Sequence, residues 1–135
     1  MTSPHRIINP PGLAPPTGFA HAVVAAPGRT VYLGGQAAQA ADGSISGGNV
    51  VEQFEVAAGN LLTALTAAGG QPDHLVSIQI FVTDAPAWRA AQPELGIAWR
   101  RHFGRHYPAV ALFQVAALFD PDAQVELVAT AVVPD

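Results

Sequence analysis

Cysteine is absent from the 135-residue chain. That excludes disulfides, thiolate metal sites and thiol nucleophiles. Charge is scarce: Asp, Glu, Lys and Arg make up 12% of the residues, against roughly 25% in ordinary soluble domains. No basic run is present and the net charge is -4, so a general nucleic-acid binder is not expected. The apolar runs are strand-length, so no membrane-spanning segment is expected. The opening Met-Thr-Ser-Pro-His-Arg leads into no apolar h-region, so no signal peptide is expected and the cytoplasm is the expected compartment. No GxGxxG, no phosphate-loop Lys-Ser/Thr and no GxSxG occurs, which removes the common dinucleotide, nucleotide and serine-hydrolase signatures.

What is present is apolar. Half of the residues are hydrophobic, with Ala and Val dominant. A monomer of this size has difficulty hiding so much apolar surface, which points to a homo-oligomer with substantial interfaces, unless the composition is a simple alanine-rich bias. The length fits one domain, residues 1–135, with a real core.

Pro4, Pro10, Pro11, Pro15 and Pro16 keep the first twenty residues from forming a helix, and an extended arm lying on the domain is expected. Residues 21–26 and 30–36 read as strands around a Pro27-Gly28-Arg29 turn. Val50, Phe54, Ala57, Leu61, Leu65 and Ala68 recur at helical steps. Asn49 is placed to cap that helix and Gly69 to end it. Residues 75–82 read as a β-branched strand with Val76, Ile78, Ile80 and Val82 on one face. Asp84 and Pro86 suggest an irregular turn over 86–91. A helix over 93–103 follows, ended by Gly104. Residues 108–118 and 125–133 read as two strands joined by an Asp/Pro turn, a hairpin-like pair with both faces to be covered. The expected order is ββαβαββ, an α+β fold with two helices on one face of a mixed sheet.

Within this frame the residues with chemical potential are few. Glu126 is a carboxylate inside an apolar strand, which calls for a partner, a function or a place at a solvated strand end. Gly34-Gly35 inside a strand marks a bulge, a close approach or a strand end. His102 and His106 stand four apart, but Gly104 between them and the lack of a third ligand argue against a metal site. Leu95, Trp99 and Phe103 read as helix core. Arg100, Arg101 and Arg105 read as a solvated helix face near the negative end of the dipole.

Several segments also resemble the YjgF/RidA (reactive intermediate deaminase) family. They are Asn9-Pro-Pro-Gly-Leu-Ala-Pro-Pro, Phe19-Ala-His-Ala-Val-Val, Val31-Tyr-Leu-Gly-Gly-Gln36, Asn60-Leu-Leu-Thr-Ala-Leu-Thr-Ala-Ala-Gly69, Val76-Ser-Ile-Gln-Ile-Phe-Val-Thr-Asp84 and Val125-Glu-Leu-Val-Ala-Thr-Ala-Val. They run in order nearly from end to end. The resemblance implies a chorismate-mutase-like fold and a homotrimer with three inter-subunit clefts. It also implies cofactor-free hydrolysis of 2-enamine/2-imine intermediates to 2-keto acids and ammonia.

Carried over residue by residue, the family's site is altered. The Arg expected after Pro108-Ala109 is Val110. The aromatic hydroxyl expected near Phe19 is missing, the serine of the second strand is Gly34, and the helix asparagine aligns with Gly96. Gly35 and Glu126 match, with Glu126 in the role of positioning or activating the attacking water. The resemblance thus implies a ligand cleft formed by Phe19, Gly34, Gly35, Gly96, Val110, Ala111 and Leu112. That cleft is apolar and unsuited to the usual 2-imino acids. Two other readings stay open. One is an enamine/imine deaminase or related hydrolase in which Glu126 handles water and backbone near Gly35 and Ala111 holds the substrate. The other is a structural or partner-binding trimer.

Overall fold

The computed structural model describes residues 2–135. Its strands are β1 (Arg6–Ile8), β2 (Ala22–Val24), β3 (Arg29–Ala37), β4 (Leu75–Val82), β5 (Ala109–Gln114) and β6 (Val125–Val133), and its helices are α1 (Val50–Ala67), α2 (Ala85–Ala90) and α3 (Gln92–Phe103). A four-stranded mixed sheet runs in the order β3-β6-β4-β5, and β1 and β2 form a separate antiparallel ribbon. The fold is α+β, as expected. Among the described residues the α-helices number three because Pro93, at the first turn of α3, splits the segment after Asp84 into two, and what reads as an irregular turn is the short α2.

The caps follow the sequence. Asn49 accepts from the Glu52 backbone N–H at 2.9 Å while the Glu52 carboxylate accepts from the Asn49 N–H at 3.2 Å, a reciprocal cap worth about 1 kcal/mol. Asp84 caps α2 by accepting from Ala87 N–H. Gly104 ends α3 at φ 64°, a conformation that favours glycine.

Two expectations need correction. The last two strands are not paired: β4 lies between them, parallel to β5 and antiparallel to β6. The connection 115–124 is too long for a tight hairpin, and the buried Gln53 of α1 pins it, donating to Asp122 O and accepting from Gln124 N–H. The β4 face is also interrupted. Its register slips between Leu75 and Ser77, so Leu75 joins Ile78, Ile80 and Val82 in the core and Val76 does not.

The core lies between the sheet and the helices. Phe54 is its centre, with ring centroids 5.6 Å from Trp88, 6.3 Å from Trp99 and 6.5 Å from Phe103. Burying each such ring contributes about 1.5–3 kcal/mol. The Leu95, Trp99, Phe103 stripe is buried, as its spacing implies.

The N-terminal arm is more structured than a plain extended segment, because β1 pairs with β2 between Pro4 and Pro10. His5 anchors it: its Nε2–H donates to His74 O at 3.0 Å and its Nδ1 accepts from Ala26 N–H at 3.0 Å. Ala20 N–H then donates to Pro108 O at 2.9 Å, which lays the arm along the start of β5.

Candidate functional site

The pleat of β5 decides which candidate residues meet. Side chains alternate between the two faces of a strand. Val110 and Leu112 turn toward the helices, where a cavity of about 500 Å³ opens. The arm contributes Thr17, Gly18 and Phe19 to its wall. Helices α2 and α3 contribute Trp88, Gln92, Leu95, Gly96, Trp99 and Arg100. Phe19 is held there by the docking of Ala20 on Pro108 and by its edge contact with His21, at 5.1 Å between ring centroids.

The second group lies on the other face of the sheet. Glu126 pairs in register with Phe81 of β4 and Ala37 of β3. Phe81 stacks on Phe113 of β5 at 5.6 Å, so Glu126, Phe113 and Ala111 share the helix-free face. The β3 register slips between Leu33 and Gln36, so Gly34-Gly35 forms a bulge rather than a plain strand end. A Cβ on Gly35 would run into Oε2 of Glu126. Glycine there lets the carboxylate lie flat against the β3 backbone. Gly34 has open space around its Cβ position.

Glu126 is half-buried. Among the described residues, no Arg or His side chain lies within ion-pairing distance of its carboxylate. The missing partner at Val110 is therefore not replaced inside the same chain near Glu126. Gly35→Val is expected to swing the Glu126 carboxylate off its resting place with little loss of stability, because what the new Cβ meets is the free end of a flexible, half-buried side chain. A crystal structure of the variant checks this, and an unmoved carboxylate contradicts the close approach.

Within one chain, then, Phe19, Gly96, Val110 and Leu112 come together, as do Gly35 and Glu126, with Gly34 beside them in the bulge; Ala111 shares their face of the sheet but lies on β5, two strands from Glu126 and three from Gly35. The two groups do not meet, because a β-sheet separates them.

The histidines serve the framework. His106 is buried and its Nε2–H donates to Leu75 O at 2.7 Å, while His102 lies 3.5 Å from Glu55. The two rings take different partners because Gly104 breaks the helix between them. Among the described residues, no three His, Asp or Glu side chains are grouped to hold a metal. A larger groove of about 1180 Å³ beneath the arm is lined by His5, His102 and His106, which these contacts occupy. Sequence reading missed most of the cavity wall, Trp88 and Tyr107 among it, and with it two polar residues of α3, Arg100 and Gln92. Their signal is the spacing Gln92, Gly96, Arg100, which sets three residues on one stripe of α3.

The fold and this split site define an α+β protein with an apolar helix-side cavity and, on the open sheet face, a carboxylate resting against a glycine bulge. The family model described as Endoribonuclease L-PSP matches residues 11–133. Together with the structural similarity below, that makes the chain a member of the YjgF/RidA family. It is 32% identical over 105 residues to the 2-iminobutanoate/2-iminopropanoate deaminase of Capra hircus, covering 77% of this chain and 73% of that one. Among solved structures it is similar to YyfB of Yersinia pestis, of the conserved Rid protein family, with a TM-score of 0.85, 31% identity and coverage of 96% and 98%. It is also similar to RidA of an Antarctic Psychrobacter, with a TM-score of 0.68, 26% identity and coverage of 89% and 92%.

Proposed function

We propose that this RidA-family member is a cytoplasmic homotrimer that binds a small molecule in apolar clefts between subunits, without cofactor and without the usual 2-imino-acid deaminase activity. The observation that carries this reading is the cavity wall: Val110, Phe19 and Gly96 stand where the family's cation, hydroxyl and amide are expected, and apolar Leu112 lies beside them. A short carboxylate entering against Val110 is desolvated without a counter-charge, which is unfavourable. An apolar body suits the same wall.

The separation of the two residue groups supports an inter-subunit cleft. The open sheet face of one subunit, with Gly35, Ala111 and Glu126, completes the cavity of the next. Exposed Tyr32 and Phe113 on that sheet are surface for such an interface.

A second reading is favoured by Glu126 itself. Its placement against Gly35 and the Capra relative's activity both suit an enamine/imine deaminase or related hydrolase in which Glu126 holds the attacking water. Cleavage of RNA, which the family model's description suggests, gains nothing from a net charge of -4.

Trp88 and Trp99, the chain's two tryptophans, both line the cavity. Titration with 1-hexanol is therefore expected to change the intrinsic fluorescence saturably, and Val110→Trp, which narrows the cavity beside β5, is expected to weaken the response. A wild-type signal that neither changes nor saturates overturns the ligand-site reading.

A further inference from the structure

The cavity has a cation that its strand lacks. The chain contains no lysine, so its six positive side chains are all arginines. Arg101 is bound to Glu55 at 2.9 Å and Arg29 lies 3.8 Å from Asp135. Arg105 lines the groove beneath the arm, and Arg6 and Arg89 line neither the groove nor the cavity. Arg100 lines the cavity. Among the described residues, it has no carboxylate within ion-pairing distance.

Gly96 adds the second observation. It sits one turn before Arg100 in the interior of α3, where glycine is unfavourable relative to alanine. Neither a positive φ nor a crowded Cβ position accounts for it, since no heavy atom lies within 4 Å of where the Cβ would be. Helix side chains lean toward the N-terminus, so Arg100 extends over the turn that holds Gly96. A bare backbone there leaves the guanidinium open space at the rim of the cavity, with Gln92 one turn further along the same stripe.

Resting on the reading of the cavity as a ligand site, we infer that Arg100 is its anion-binding residue and that the ligands are monocarboxylates with an apolar tail. The tail lies against Phe19, Val110 and Leu112, and the carboxylate is held at the α3 rim rather than on β5. A planar guanidinium matches a carboxylate with two parallel hydrogen bonds. One cation in a largely apolar wall suits a single negative charge better than a doubly charged phosphate ester.

The test compares hexanoate with 1-hexanol, probes of equal chain length, by the fluorescence of Trp88 and Trp99 at low salt. The alcohol is the more readily desolvated, so a preference for the acid requires the cation. Wild type is expected to bind hexanoate about five- to tenfold more tightly than 1-hexanol, as suits an exposed arginine. Arg100→Ala, a surface change that should leave the circular dichroism intact, is expected to erase the preference, and Arg100→Lys to keep part of it. Gly96→Leu is expected to weaken hexanoate binding by filling the rim. Equal affinities in wild type, or a preference that survives in Arg100→Ala, overturn the role of Arg100 while leaving the ligand site standing. If neither probe binds wild type, the ligand site and the role of Arg100 are both overturned.

Discussion

2-Iminobutanoate generated in situ by an amino-acid oxidase is expected to hydrolyse no faster with this protein present than in buffer. A charge-assisted hydrogen bond contributes about 1.5–3 kcal/mol, and a bidentate arginine also fixes orientation. Val110 supplies neither, and it faces a cavity whose wall includes Phe19, Leu112 and Ile80. Arg100 does not restore the deaminase geometry, because it stands on α3 and holds a carboxylate away from the β5 position. The missing orientation leaves the imine carbon misplaced relative to any water at Glu126, and small misplacements in such sites cost about 100-fold. Val110→Arg alone is expected to restore little, since Phe19, Gly34 and Gly96 also differ from the family pattern. Ammonia release clearly above background would overturn the proposal in favour of the hydrolase reading. In that event Glu126→Gln should abolish the activity and leave the assembly intact.

Phe113→Asp is expected to dissociate the protein into folded monomers. Phe113 stacks on Phe81 on the helix-free side of the sheet and is 45% exposed in the single chain, and Tyr32 on β3 is 82% exposed. Among the described residues, no helix covers that face. A carboxylate placed in an apolar interface must be desolvated without a partner, and Glu126 already puts a negative charge on the same face. Size-exclusion chromatography should show the shift while circular dichroism stays native. An unchanged elution volume would place the interface elsewhere and remove Glu126 from the neighbouring cavity.

What could be read from the sequence followed from local physics. The α1 period, its Asn49 cap, the stop at Gly104 and the buried Leu95, Trp99 and Phe103 stripe each depend on a few neighbouring residues. The Gly34-Gly35 pair and the lone carboxylate of Glu126 each ask for an explanation without giving one: bulge, close approach and strand end stay open, and the structure joins the first two. Strand pairing was not legible. β5 and β6 are adjacent in sequence and equally apolar, yet β4 separates them, a choice made by packing over distant segments. Arg100 was hidden for a related reason. Beside Arg101 on a helix it reads as solvated surface, and only the arm that brings Phe19 over β5 turns that surface into the rim of a cavity.

The ligand site is proposed to be completed between copies of this chain, and multi-angle light scattering at micromolar concentration reads that assembly. The expected mass is about three times the 13.9 kDa of one chain. A mass of 13.9 kDa would contradict the account, because Glu126 and Gly35 would then face solvent on the opposite side of the sheet from the cavity they are proposed to complete.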